Sequence, residues 1–222
     1  GLHFGPALDL FVRGSMAYKA PTLFELYDPL SGNKALRPEH VQGFEISVAR
    51  YFVSRKNKVQ LSGFVNQSRE LIQWQSLRYV NVGSAVVRGA EFESAVAWGW
   101  LSMQGGYTYL ETRDDSSGAR LLRRPSGSVT ARMAASRPDW AWGGALEFGG
   151  AGSRADVDPI SGARVTNEGY SILSASLDWR ISPALAAHLS AVNLLDLKYE
   201  EVAGYGREPL SLYLSLVWSG NN

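Results

Sequence analysis

Alternation of side-chain character with a period of two is the feature that most narrows what this chain can fold into. From Leu8 to Tyr18, Leu8, Leu10, Val12, Gly14 and Met16 fall on one face of an extended strand, and Asp9, Phe11, Arg13, Ser15 and Ala17 on the other. Phe44, Ile46 and Val48 alternate with Glu45, Ser47 and Ala49, and Val59, Leu61, Gly63 and Val65 with Lys58, Gln60, Ser62 and Asn66. Further strands are expected at roughly 86–98, 100–112, 125–136, 140–149, 170–181, 184–194 and 207–218, about ten in all, each near the length of a tilted strand crossing a bilayer. No stretch approaches the run of about eighteen apolar residues that a spanning helix needs.

The connections sort by length. Short turns are expected at Ser54–Asn57, around Gly99, at Arg137–Asp139 and at Ile181–Pro183, and long polar loops at Lys19–His40, Gln75–Ala85, Arg113–Arg124, Gly150–Gly169 and Leu195–Gly206. Short turns on one side and long loops on the other are the outer-membrane barrel pattern, whereas a soluble all-β domain has no reason to sort its loops. Trp98, Trp100, Trp140, Trp142, Trp179 and Trp218 lie beside short turns or at the last strand end, as a periplasmic aromatic girdle does; Tyr18, Tyr107, Tyr109, Tyr170 and Tyr199 lie toward the long loops, as a second belt. Charged residues Asp9, Arg13, Glu45, Lys58, Glu91, Glu93, Arg132, Glu147, Asp178, Arg180 and His188 fall opposite the apolar rows, where a polar lumen suits them and a dry core does not. Arg50 breaks this parity near a strand end, where its stem can snorkel.

Composition excludes more than it assigns. Lys and Arg total 22 against 21 for Asp and Glu, so no polybasic surface for nucleic acid is expected. The absence of cysteine removes disulfides, thiolate metal sites and thiol nucleophiles. No metal motif, phosphate loop or cofactor motif is present, and no cofactor is expected. An enzyme of the omptin-like class would need a histidine beside a carboxylate or serine; of His3, His40 and His188 only His188 shares a strand face with a serine, Ser190, and its expected role is lumen lining.

Ordered short motifs then resemble a known family. Tyr18-Lys19-Ala20-Pro21-Thr22-Leu23-Phe24-Glu25-Leu26-Tyr27, Gly32-Asn33, Leu36-Arg37-Pro38-Glu39, Gly43-Phe44-Glu45, Asn81-Val82-Gly83, Arg88-Gly89-Ala90-Glu91-Phe92-Glu93, Tyr107-Thr108-Tyr109, Leu122-Arg123-Arg124-Pro125 and Asn193-Leu194-Leu195-Asp196 with Tyr199-Glu200 follow the order found in TonB-dependent outer-membrane receptors. Within that family the stretch from Asn193 to Glu201 with Gly204-Tyr205-Gly206-Arg207-Glu208 is most similar to cobalamin receptors, while ferric-siderophore and haem receptors share much of it. The resemblance implies an all-β fold, a transmembrane antiparallel barrel segment supplying about the last ten meander strands of a twenty-two-stranded barrel. It implies a fragment lacking the N-terminal plug and strands. The partners implied are outer-membrane lipid and lipopolysaccharide, the TonB complex through that plug, and a large nutrient held by extracellular loops. Phe24, Tyr27, Arg78, Tyr79, Arg123, Arg124 and Tyr205 are the loop residues with the stacking surfaces and fixed donors that such a ligand needs. The acidic residues Asp114, Asp115, Asp156 and Asp158 are expected as solvated loop tips, and the strand edges at Leu8–Tyr18 and Arg207–Trp218 as the free edges of this segment.

Overall fold

Neighbouring strands pair in the order in which they occur in the chain, so the sheet is a meander. The computed structural model describes residues 1–53, 56–75 and 77–219; Ser54 and Arg55 of the expected first turn, Ser76 in the expected second loop, and residues 220–222 of the tail lie outside it. The elements are β1 (Leu2–Phe4), β2 (Leu8–Lys19), α1 (Leu23–Tyr27), β3 (Glu39–Phe52), β4 (Asn57–Gln75), β5 (Arg78–Trp98), β6 (Leu101–Asp114), β7 (Gly127–Ala135), β8 (Trp142–Ala151), β9 (Arg154–Val157), β10 (Arg164–Asn167), β11 (Tyr170–Ser182), β12 (Leu185–Val192), β13 (Glu200–Val202), β14 (Tyr205–Gly206) and β15 (Ser211–Trp218). Eleven strands form one antiparallel sheet, ordered β1-β2-β3-β4-β5-β6-β7-β8-β11-β12-β15; β9–β10 and β13–β14 are small hairpins inside connections.

Register keeps the two faces distinct across the whole sheet. Arg13 sits opposite Glu45, Glu91 opposite Ser62, Glu93 opposite Gln60, Arg132 opposite Glu147, and Asp178 opposite His188. Ion pairs follow along that face: Lys58 Nζ to Glu93 Oε2 at 3.3 Å, and Arg132 Nε to Glu147 Oε1 at 2.7 Å. The opposite face carries rows such as Met103–Met133–Leu146–Ala175–Ala191–Leu212. Its side chains are bare: Leu61, Leu212, Leu214 and Leu216 are each at least 60% exposed. The buried hydrophobic residues among those described are only Leu36, Ala49, Ala85 and Ala145, so apolar burial within this chain does not hold the sheet together. Backbone pairing does.

The aromatic edge forms beside the short turns. Trp142 and Trp179 are cross-strand partners, Trp218 faces Leu185, and Trp98 faces Leu101. Trp100, Trp140 and Trp142 contact one another in series, with centroids 5.6 and 4.9 Å apart. Arg50 lies over the Phe52 ring at 5.6 Å, on the apolar face and beside this edge. In the motif Arg88-Gly89-Ala90-Glu91 the glycine is required sterically, because a Cβ there would lie 2.3 Å from the Tyr109 carbonyl oxygen and 2.8 Å from the Phe64 ring.

Four expectations are corrected. Gln75–Ala85 is not a polar loop: β4 and β5 run on as a paired ladder to Gln75 and Arg78, so Arg78 and Tyr79 are strand residues. At 19 and 21 residues these strands far exceed a bilayer crossing of about ten, and beyond Arg69 and Ser84 they run on past their outer neighbours as a two-stranded mast, Leu71–Gln75 paired with Arg78–Val82. A three-residue strand, β1, adds an outer neighbour to the lower part of β2; it is too short for alternation to reveal it. The last strand begins at Ser211 rather than Arg207, since Pro209 cannot donate to the ladder. Tyr170 lies on the charged face, as its pairing with Ala151 requires, and stacks on Tyr199 at 4.7 Å; both leave the membrane belt for the loops.

Leu146, midway along β8 on the apolar face, and Ser174, opposite Glu147 on the charged face, provide a matched test. Leu146→Arg is expected to destabilise the refolded full-length barrel by roughly 2–4 kcal/mol, and Ser174→Arg by less than about 1 kcal/mol, measured by denaturant unfolding in lipid vesicles.

Candidate functional site

The long-loop side carries two clusters, each built by side chains that satisfy backbone groups. In the first, Thr22 and Glu25 close a capping box on α1, and Asn33, Asn81 and Glu39 fasten the loop that follows it. Asn33 Nδ2 donates to the Tyr79 carbonyl at 2.8 Å, and Tyr79 N–H donates to the Ser31 carbonyl at 3.1 Å. Asn81 accepts from Arg37 N–H at 2.8 Å and donates to the Arg37 and Glu70 carbonyls at 2.9 and 2.7 Å. Glu39 accepts from the Ile72 N–H at 2.9 Å and from Lys19 at 3.2 Å. The loop between β2 and β3 is thereby laid against the mast.

That docking assembles an aromatic shelf. Trp74 and Tyr79 are cross-strand partners with ring centroids 5.1 Å apart, and Phe24 meets Tyr79 edge to face at 6.2 Å. Register places Trp74 and Tyr79 on the charged face, above Phe64 and Glu91. Phe24, Tyr27 and Trp74 are more than half exposed, and Lys34 lies 5.4 Å over the Tyr27 ring. Arg78, on the other face, reaches Asn33 Oδ1 only at 3.5 Å.

The second cluster centres on Asp156, which has no exposed surface. Its carboxylate accepts from Arg123 Nε at 2.9 Å and from the N–H groups of Val157 and Ala203 at 2.8 Å each. Burial alone would raise the Asp156 pKa, but the Ala203, Arg123 and Val157 hydrogen bonds outweigh it and lower it to about 2. Arg154, also buried, donates to the carbonyls of Glu200 and Glu201, the latter at 3.0 Å, and lies over the Tyr170 ring at 5.3 Å. The Tyr170 hydroxyl donates to Glu201 at 3.1 Å, and Glu201 also pairs with Arg207. Loops from three separate hairpins are joined here, which corrects the expectation that Asp156 is a solvated tip and occupies Arg123 with a structural contact.

Three loop tips share one local device. Asp28-Pro29-Leu30-Ser31-Gly32, Asp114-Asp115-Ser116-Ser117-Gly118 and Asp158-Pro159-Ile160-Ser161-Gly162 repeat Asp-x-x-Ser-Gly, and the last two continue with Ala-Arg. In each, one Asp oxygen accepts from two following N–H groups and from the serine hydroxyl. The glycine N–H returns to the Asp carbonyl at 2.8 to 2.9 Å, and Gly118 and Gly162 adopt φ of 68° and 69°. Hydrogen bonding to Ser31 and to Ser161 holds the Asp28 and Asp158 carboxyls below the usual range. The repeat was readable in the sequence as an internal motif.

The residues singled out for ligand binding therefore divide. Phe24, Tyr27 and Tyr79 come together with Arg78 beside them; Arg123 and Tyr205 belong to the Asp156 side; Arg124 is exposed there. Trp74, the tryptophan left outside the girdle, was missed because the strand was ended at Asn66. Carried to residue 75, the same alternation assigns it to the Phe64 face. His188 Nδ1 lies 2.7 Å from Asp178 Oδ1, a partner that sequence spacing did not supply, but among the described residues no hydroxyl is hydrogen-bonded to His188. Without an activated hydroxyl the pair lacks the arrangement of a nucleophilic site.

Residues 1–194 match the family model described as "TonB dependent receptor-like, beta-barrel". A curated relative, the vitamin B12 transporter BtuB of Vibrio cholerae, is 29% identical over 221 residues, which is 97% of this chain and 35% of the relative. The chain thus spans about a third of that relative's length. Among solved structures, the ferric-catecholate import receptor Fiu of E. coli K12 superimposes with a TM-score of 0.77 at 21% identity, over 97% of this chain and 33% of that one. FpvA of P. aeruginosa, solved with bound pyoverdines, gives 0.79 at 17% identity, over 97% and 31%.

Asp156 makes the docking of these loops sensitive to acid. Its folded pKa of about 2 lies below the ordinary 3.8, so the docked loops bind fewer protons than the opened ones between those values. Docking is expected to be insensitive to pH above about 4 and to weaken as pH falls toward about 2, read from the near-ultraviolet dichroism of the Tyr170–Tyr199 contact in the full-length protein. Asp156→Ala at neutral pH strands two N–H groups and the Arg123 guanidinium. It should speed amide exchange at Val157 and Ala203 by an amount on the order of 2 kcal/mol.

Proposed function

Because the chain belongs to the TonB-dependent receptor-like β-barrel family, whose place is the bacterial outer membrane, we propose that it is the C-terminal wall of a receptor importing a large nutrient, with cobalamin favoured. The observation that carries this reading is the shelf of Phe24, Trp74 and Tyr79 at the top of the charged face, held open by the docked loop. Flat, half-exposed rings above a polar wall suit a bulky ligand with both apolar and hydrogen-bonding surface. In this reading Arg13, Glu45, Glu91, Glu93, Arg132, Glu147, Asp178, Arg180 and His188 line the lumen against the plug, and the tryptophan edge marks the periplasmic interface. Energy input comes from the TonB complex acting on the plug, outside this chain. The relatives are transport receptors rather than enzymes, and no catalytic role is proposed.

A ferric siderophore is the second reading, favoured by the superimposable receptors for ferric catecholates and pyoverdines and by arginines at 120, 123 and 124. Anionic siderophores need free guanidinium groups. Arg123 is committed to Asp156 through Nε, which leaves the exposed Arg120 and Arg124 as the guanidinium groups open to an anion on these loops.

The deciding experiment is uptake by a strain lacking its own outer-membrane receptors and carrying the full-length protein. Rescue by cobalamin is expected; rescue by a ferric siderophore alone overturns the substrate. For the site, Trp74→Ala with Tyr79→Ala should weaken ligand binding by at least about 2 kcal/mol, or roughly thirtyfold in Kd, while barrel stability is unchanged. Adding Tyr27→Ala and Tyr205→Ala tests the remaining rings. Unchanged affinity in the quadruple variant removes the shelf from the binding site.

A further inference from the structure

Below the aromatic shelf, the charged face is hollowed into a recess whose charges are closed on one another. Glu93, Gly106, Thr130, Gly149 and Ile172 are consecutive cross-strand partners from β5 through β6, β7 and β8 to β11. In the next row Gln104 and Ser174 flank the Arg132–Glu147 pair. Together they line a recess of about 770 Å³, within the range of roughly 300–1,000 Å³ typical of ligand sites. Its two cations are each held by a carboxylate, Lys58 by Glu93 at 3.3 Å and Arg132 by Glu147 at 2.7 Å. Along β5, Glu93 lies between Tyr79 of the mast and Trp98 of the tryptophan edge, which sets the depth of the recess in the wall.

Nothing within this chain requires glycine at position 149, in the middle of that row. A Cβ there would meet no atom within 4 Å, and its φ is not positive. A mid-strand glycine weakens its strand, and it recurs where a ligand or another backbone comes close. At Gly106 a Cβ would lie 3.0 Å from Thr130 Oγ1, so this glycine keeps the hydroxyl clear. The side chains of Gln104, Thr130 and Ser174 have no hydrogen-bond partner among the described residues, and Gln104 and Thr130 are exposed. The wall of β2 to β5 differs: its notch is 220 Å³ and is lined by Arg13, Glu45 and Glu91. An uncharged ligand loses less by leaving water at the first wall than a charged one does.

We propose that this recess is an inner binding site that holds an uncharged, carboxamide-bearing part of the nutrient after it leaves the shelf. The proposal rests on the transport reading above and deepens it. The Gln104 amide and the Thr130 and Ser174 hydroxyls each donate and accept, as carboxamides do, so the two sets can pair without a net charge on either side. Gly106 and Gly149 supply the flat floor against which a bulky ring system can lie, and Ile172 gives it apolar contact.

This chain has no cysteine, so single thiols report on the wall directly. Full-length receptor, with any cysteine elsewhere replaced by serine, carries Gly149→Cys, or Ser15→Cys on β2 as the reference, in cells with an active TonB complex, and labelling by a small maleimide is timed with and without cobalamin. Cobalamin at about ten times its half-saturating concentration should slow labelling of the Gly149→Cys receptor roughly tenfold, and that of Ser15→Cys much less. A Gly149→Cys thiol that stays unlabelled means that the plug covers the recess, and labelling that cobalamin does not slow means that no ligand enters it; either overturns the site. Equal slowing at both positions assigns the effect to a blocked mouth and also overturns it. Slowing by a ferric catecholate but not by cobalamin overturns the uncharged class. Gln104→Leu with Thr130→Val is expected to lower uptake roughly fivefold more than it lowers binding by de-energised cells, the effect of about one net hydrogen bond. Equal losses place these residues in the outer site instead. A parent receptor that takes up neither compound fails the transport reading before any variant is made, and the inner site falls with it.

Discussion

Pairing of the backbone governs this molecule more than side-chain burial does. A strand surrounded by hydrocarbon has no water to satisfy its N–H and C=O groups, and the only remedy is a neighbouring strand. The meander supplies that neighbour at every step from β1 to β15. It also frees the side chains from making a core, which is why rows of leucine can stand exposed on one face while ion pairs such as Arg132–Glu147 occupy the other. The two faces need only match two different media, and a period of two is enough to specify them.

The same constraint explains the loops, where the ladder is missing and side chains take its place. Asn33, Asn81, Asn193 and Asp196 each hold backbone groups that no strand reaches: buried Asn193 alone exchanges hydrogen bonds with Leu197 and donates to Glu208, and Asp196 accepts from Leu210 N–H. Asn193 and Asp196 sit at positive φ, which short polar side chains tolerate better than most. The motifs that make the chain resemble its family thus fall largely on residues that fasten loops rather than on residues free to touch a ligand.

Legibility in the sequence follows the range of the interactions. Strand faces were readable because alternation is local, and the charged residues named from parity, such as Arg13, Glu45, Glu91 and Asp178, share one face of the sheet, opposite the apolar rows. The mast was misread because polar residues such as Gln73, Arg78 and Asn81 look like loop when their paired geometry is unknown. Asp156 and Arg154 were unreadable as anchors: their partners are Ala203, Glu200 and Glu201, more than forty residues away, and mostly backbone groups that carry no sequence signature. Trp74 needed only a longer strand.

The Asp156 anchor also sets how the extracellular rim can move. Connections that look independent along the chain are not so mechanically: Arg123, Asp156, Arg154, Ala203 and Glu201 tie three of them into one plate, while Asn33, Tyr79 and Asn81 tie the first loop and the mast into another. Loosening one contact in either plate is then felt by every loop in that plate, and the bond from the Asp115 N–H to the Ser84 carbonyl links the two plates through the β6–β7 connection.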